Sequence, residues 1–248
     1  MKKYNLKSII TGLIVVIVGI LLIVADAFWW MSGQMVWIGI GCSLIASALV
    51  ILLNAFLVEI HIVSPLDEWK LKTITSTRAE INCDCENEMK GAKKQIDIIA
   101  FGLRSFRTAH TDKEVLNKLN RGTNYRILTM KPDSDFVLYR QIEENNKNIQ
   151  DSINELVSWA NEINKQSRKG KIVIKGYSAM TLDFYWRVDE VLYIGPYWYG
   201  YESQQTITYK YEKGGKGFRT YTAYFDKLWN NSNLVETLTS DNKRKNGK

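Results

Sequence analysis

Few residues of this 248-residue chain could do chemistry. The histidines are His61 and His110, and the cysteines are Cys42, Cys83 and Cys85. Cys83 and Cys85 are separated only by Asp84, and a Cys-x-Cys pair can contribute to a zinc site. Such a site needs about four ligands, and two distant imidazoles are all the chain could add. The reading is free thiols on a helix, with no metal and no cofactor. A disulfide framework is excluded too, because Cys42 falls inside an apolar run. His110 precedes Thr111, Asp112 and Lys113 at a helix start. An imidazole there can attack an electrophile or shuttle a proton only if a second group answers it, so His110 is catalytic only under an enzyme reading.

Cations beside hydroxyls suit a different task, the holding of phosphate. Arg104, Ser105 and Arg107 follow one predicted strand, Lys131, Asp133 and Ser134 follow a second, and Arg187 lies in a third. Open α/β sheets place ligands beyond strand ends. The candidate ligand-binding residues are therefore Arg104, Ser105, Arg107, Lys131, Ser134 and Arg187. Tyr197 joins them from an aromatic patch running from Tyr185 and Trp186 through Tyr193, Trp198 and Tyr199 to Tyr201. Most of that patch is expected in core and rim, and some faces are free to stack a base.

The elements that position these residues are read from periodicity. Ile96 to Phe101 and Tyr125 to Met130 are apolar runs of strand length, and Asp112 to Asn120 is a short helix capped at Thr111 or Asp112. Phe136 to Lys165 carries one apolar face and predicts a single long helix. Lys171 to Lys175, Phe184 to Tyr193 and Thr206 to Tyr211 predict further strands, and Phe218 to Trp229 a final amphipathic helix. The alternation argues for an α/β sheet, over 95–232. Ahead of it, Leu71, Ile74, Ile81, Cys85 and Met89 recur at helical spacing, with Arg78 the charged exception, and predict a connecting helix over 61–94.

The N-terminal part, 1–60, is of another kind. Ile9 to Met31 and Met35 to Val58 are apolar runs broken only by Ser32-Gly33-Gln34, and each is long enough to cross a hydrocarbon layer of about 30 Å. A two-helix transmembrane hairpin is expected. Small residues such as Gly19 and Gly41 offer faces for close helix approach. Lys2, Lys3 and Lys7 precede the first run, which places both ends of the hairpin in the cytoplasm, with Phe28, Trp29 and Trp30 at the far interface. Three of the 33 Lys and Arg and one of the 26 Asp and Glu precede Glu59, leaving an excess of five basic residues in the rest. Three of those five lie in 241–248, the end of a basic tail over 233–248 that suits anionic lipid. Composition does not call for nucleic acid, and no DNA partner is expected.

The segments IDIIAFGLRSF, LNRGTNYRILTMKPDSD, RVDEVLYIGPYWYGYES and FRTYTAYFDKLWNN together resemble the phospholipase D-like superfamily in a single-domain form, over roughly Asn87 to Asn231. Active members use paired His-x-Lys motifs. Counting back from Asp189 in the frame His-x-Lys-x-x-x-x-Asp, Leu182 stands for the histidine and Phe184 for the lysine; shifting by one gives Thr181 and Asp183. The resemblance thus implies a degenerate site on a cytosolic α/β domain. It implies a sensor or effector, homodimeric or larger, that binds a nucleotide or other phosphorylated small molecule and signals to its spans in the bacterial inner membrane, an arrangement similar to antiphage effectors. Two alternatives stand beside it: a phospholipid phosphodiesterase or transphosphatidylase of the cardiolipin synthase type, using His110, and a membrane-tethered scaffold.

Overall fold

In a computed structural model the chain divides into two units, Met1–Glu68 and Trp69–Lys248. The structure describes residues 2–28, 36–58, 64–144, 148–180 and 183–240. Trp29, Trp30, the Ser32-Gly33-Gln34 turn, Thr181, Leu182 and the tail beyond 240 lie outside the described residues.

The first unit is built on α1 (Lys2–Phe28) and α2 (Val36–Val58). Both are long and apolar enough to cross a membrane, over Ile9–Asp26 and Trp37–Leu57. Their outward side chains are apolar, with Leu21 61% and Leu53 58% exposed, a pattern that lipid tolerates and water does not. The helices meet through glycine. A Cβ on Gly19 would sit 2.9 Å from the Gly41 carbonyl oxygen, and one on Gly41 2.7 Å from that of Gly19, so the backbones approach where only hydrogen fits.

Within 61–94, the described residues from Ser64 onward do not form the single connecting helix that their spacing predicts. A short α3 (Ser64–Trp69) carries Pro65 in its first turn, where a missing N–H costs nothing. Strand β1 (Leu71–Thr75) follows, then a 3₁₀ turn (Ala79–Ile81) and α4 (Asn82–Gly91). The correction has a physical cause. Thr73, Ile74 and Thr75 are β-branched, and an open sheet edge lies beside them to be paired.

The rest alternates as β2 (Gln95–Ile99), α5 (Arg104–Ala109), α6 (Asp112–Arg121), β3 (Asn124–Met130), α7 (Asp135–Glu143), α8 (Ile149–Gln166) and β4 (Ile172–Tyr177). Then come β5 (Asp183–Val188), β6 (Val191–Pro196), β7 (Thr208–Glu212), α9 (Lys216–Trp229) and β8 (Val235–Thr237). Helix α6 begins in a capping box, Thr111 accepting from the Glu114 amide while Glu114 accepts from the Thr111 amide. The long helix expected over Phe136 to Lys165 is two helices. Helix α7 ends at Glu143 and α8 starts at Ile149, and the sequence between them is rich in asparagine, a residue of low helix propensity. Part of the expected tail is also ordered structure: β8 pairs with β4, and Thr239 is buried with its Oγ1 accepting from the Ile174 amide.

One eight-stranded mixed sheet results, in the order β1-β7-β6-β5-β2-β3-β4-β8. Strands β2, β3 and β4 are parallel and in register, with Ile96 beside Tyr125 and Tyr125 beside Ile172. On one face Ile98, Ile127, Ile174 and Trp186 pack under α4, α5, α6 and the later turns of α8. On the other, Ile99, Leu128, Tyr185 and Ile194 pack under α7 and α9.

Candidate functional site

A cavity of about 360 Å³ opens at the tip of β2, on the face covered by α4 and α5. Its floor is aromatic: Phe184 and Trp186 from β5, Tyr193 from β6, and Tyr197 just beyond β6. Each wall is tied down. The Tyr193 hydroxyl donates to Asp84 at 2.8 Å, and Lys210 reaches the same carboxylate at 2.6 Å. The Trp186 indole N–H points at the Met89 sulfur at 3.4 Å. On the far rim Asn82 donates to the Gln204 amide oxygen at 3.2 Å. Gly102 lets the first turn of α8 close over the strand tip, since a Cβ there would lie 2.2 Å from Cβ of Ser152.

Arg78 is the charge at the centre of this arrangement. It is only 7% exposed, its guanidinium lies 4.4 Å above the Phe184 ring and 5.8 Å from Tyr197, and among the described residues no carboxylate lies within ion-pair distance of it. A second buried guanidinium, Arg140 of α7, faces Phe101 and Tyr197, but Glu143 and Glu144 neutralise it. Burial pushes the Tyr197 phenol up, with Arg78 acting against it, so the ring meets the cavity as a neutral phenol. Glu86 and Glu144 add acceptors, and Ser152 a hydroxyl.

Of the residues expected to bind a ligand, Arg104, Ser105 and Tyr197 line this cavity. His110 lines it too, its ring 4.9 Å from Phe106; burial, then the charge of Lys118, holds its imidazole below the ordinary value of 6.5. The other four lie outside the cavity lining and are engaged elsewhere. Arg107 binds Glu155 at 2.6 Å, Lys131 binds Glu236 at 3.0 Å, and the Ser134 hydroxyl donates to the Lys131 carbonyl at 2.8 Å. Arg187 points to the opposite face of the sheet, where it meets Asp97 at 3.2 Å. Sequence reasoning passed over Arg78, Asn82, Glu86, Ser152 and Gln204. The one signal was Arg78 itself, a charge on an otherwise apolar stripe.

The segments that carried the family resemblance meet on that opposite face. Asp97, fully buried, is held by Arg126 through bonds of 2.7 and 2.8 Å, by Arg187, and by the Gln95 amide at 2.6 Å. Arg126 also reaches Asp226 at 2.9 Å, and Phe225 stacks on Tyr185. Asp189 sits in the β5–β6 turn at a φ of 47° and accepts from the backbone amides of Lys93, Lys94 and Gln95 at 2.8–2.9 Å. These residues lock strands and helix together. Cys83 is exposed; Cys85 is partly buried against the core, and burial pushes its thiol up, toward the unreactive form.

No known protein family matches the chain, and no curated protein does. Among solved structures, one similar to it is that of TrmBL2, an archaeal chromatin protein described as showing a novel mode of DNA binding. The identity is 14% and the TM-score 0.39, over 78% of this chain and 66% of the other, so the chain spans less than two thirds of that structure's length. These comparisons carry no phospholipase D-like signal. The expectation that excluded DNA as a partner is corrected by this finding and is withdrawn, since a structural neighbour is a DNA-binding protein. A likeness at this level carries no argument for what this chain itself binds.

Proposed function

We propose that this chain is a membrane-anchored binding protein whose α/β unit takes a small anionic molecule with a flat apolar part, such as a nucleotide, and signals its occupancy to the spans. In this reading the two spans sit in a bacterial inner membrane and both flanks are cytoplasmic. The fold reading remains a phospholipase D-like domain that has exchanged catalytic groups for binding ones, with Phe184 at the former lysine position now part of the cavity floor.

The observation that carries the proposal is Arg78. Among the described residues no carboxylate pairs with this buried guanidinium, and an anionic ligand arriving over the aromatic floor offsets the cost of its burial with charge-assisted hydrogen bonds. The ring-bearing part of such a ligand has Phe184, Trp186 and Tyr197 to stack on.

The test uses the full chain purified in detergent. Mass spectrometry of heat-released small molecules is expected to find an anionic compound bearing a ring system, and titration of that compound, alongside a ribonucleotide panel, gives its affinity. Arg78→Gln is expected to weaken binding about ten-fold or more, the worth of a hydrogen bond to a charged group. Arg219→Gln, at an exposed position outside the cavity lining, leaves binding unchanged. Equal affinity in the Arg78→Gln and unaltered proteins sinks the reading.

A further inference from the structure

The two ends of the parallel strands differ in their exposed charge. The cavity end is mixed, with Glu86, Glu143, Glu144 and Glu202 set against Arg78, Arg104 and Arg140. At the opposite end, exposed Lys93 and Lys94 precede β2, Arg121 precedes β3, and Arg168, Lys169 and Lys171 precede β4. Lys213 and Lys70 extend the same rim along the antiparallel strands.

Backbone hydrogen bonds join these segments into one continuous edge. The Asn124 amide donates to the Lys94 carbonyl at 3.0 Å and the Tyr125 amide to that of Lys171 at 2.9 Å. The Asp189 amide donates to the Gln95 carbonyl at 2.9 Å, and the Lys213 amide to that of Glu190 at 2.8 Å. Lys70 closes the series with its ammonium 3.2 Å from the Lys213 carbonyl. The local acids are largely spent: Glu190 pairs with Lys213, Glu212 with Lys72, and both Asp189 oxygens with backbone amides.

The chain enters the α/β unit at this same rim. Trp69 is the first residue of the unit, and Lys70 beside it belongs to the basic edge. Val58, the last residue of α2, precedes Trp69 by eleven positions, at most about 40 Å of fully extended chain. A leash of that length keeps the domain within reach of headgroups, and the residues at its entry, Lys70 and Lys72, are cationic.

We infer that the basic rim formed by the N-terminal ends of β2, β3 and β4, together with Lys70 and Lys213, docks on anionic lipid headgroups. The inference rests on the membrane-anchor reading and is independent of what the cavity binds. Lysines near an anionic surface are attracted within a Debye length, so the contact is sensitive to salt.

The test is lysine acylation read by mass spectrometry on the full chain in lipid nanodiscs, comparing zwitterionic discs with discs containing about one third anionic lipid. Labelling of Lys93, Lys94, Lys169 and Lys213 is expected to fall more than about three-fold on anionic discs and to recover at about 0.5 M salt. Labelling of Lys113 and Lys131, beyond the opposite strand ends, stays constant. The triple variant Lys93→Glu, Lys94→Glu, Lys169→Glu changes only exposed side chains and is expected to abolish protection at Lys213 with an unaltered circular dichroism spectrum. Equal labelling of both ends on anionic discs, in a chain that has inserted, overturns this inference alone. Protection by added duplex DNA but not by anionic discs also overturns it and makes the rim a nucleic-acid face. A chain that elutes apart from the discs overturns the anchor reading and this inference together.

Discussion

Complete burial of Asp97 is tolerable only because two guanidiniums and an amide reach it. The same burial makes it vulnerable. Replacing Asp97 with Asn leaves Arg126 and Arg187 facing each other across β2 with a neutral group between them. Breaking a buried pair from one side costs about 3–5 kcal/mol, so Asp97→Asn is expected to lower the urea midpoint of the α/β unit sharply. An unchanged midpoint would show that solvent reaches these guanidiniums, whose side chains are 22% and 23% exposed. Arg78 makes the contrasting case. It is as buried as a core residue yet faces a cavity, and the difference between a structural and a binding arginine here is whether a carboxylate of the chain already answers it.

Elements are set by close approaches as much as by propensity. Gly170, just before β4, lies against the backbone ahead of β3: a Cβ there would sit 2.0 Å from the Thr123 carbonyl oxygen, and its own amide donates to the Leu119 carbonyl at 2.8 Å. Neither backbone group can yield, so Gly170→Ala is expected to destabilise by about 3 kcal/mol. Gly91, at the end of α4, meets nothing within 4 Å, so Gly91→Ala is expected to leave stability unchanged or raise it by up to about 1 kcal/mol. Thermal melts should fall for Gly170→Ala and hold or rise for Gly91→Ala, and a shared downward shift would argue against the packing described. Two elements that the sequence reading missed, α5 and β1, share one trait, shortness. Helix α5 spans only Arg104–Ala109, starts from Leu103 at a φ of 50°, and shows too few turns for any periodicity. Strand β1 shows helical spacing because five residues cannot reveal their own period, and its partner β7 decides the matter.

At the scale of the molecule, two helices long and apolar enough to cross a membrane are joined to a sheet whose N-terminal strand ends carry exposed basic residues. Alkaline carbonate extraction of cell membranes is expected to leave the full chain in the pellet, as two apolar helices require. Its release into the supernatant would remove the anchor on which the functional reading depends. The apolar runs, the β–α alternation and the amphipathic faces of α8 and α9 were all legible in the amino-acid order, because each is a local pattern with a period of its own. The site was not. Arg78, Asn82, Arg104, Ser152, Phe184 and Gln204 come from separate segments, and only the parallel pairing of β2 with β3 and the crossing of α4 over β5 and β6 bring them to one cavity. The charge rim was equally hidden, since its cations lie in short groups between elements, Lys93-Lys94 and Arg168-Lys169 among them, and come together only where strand ends align. Local spacing fixes what each segment can be, whereas a site depends on contacts between residues far apart in the chain, and those are settled by which faces the sheet and its helices bury together.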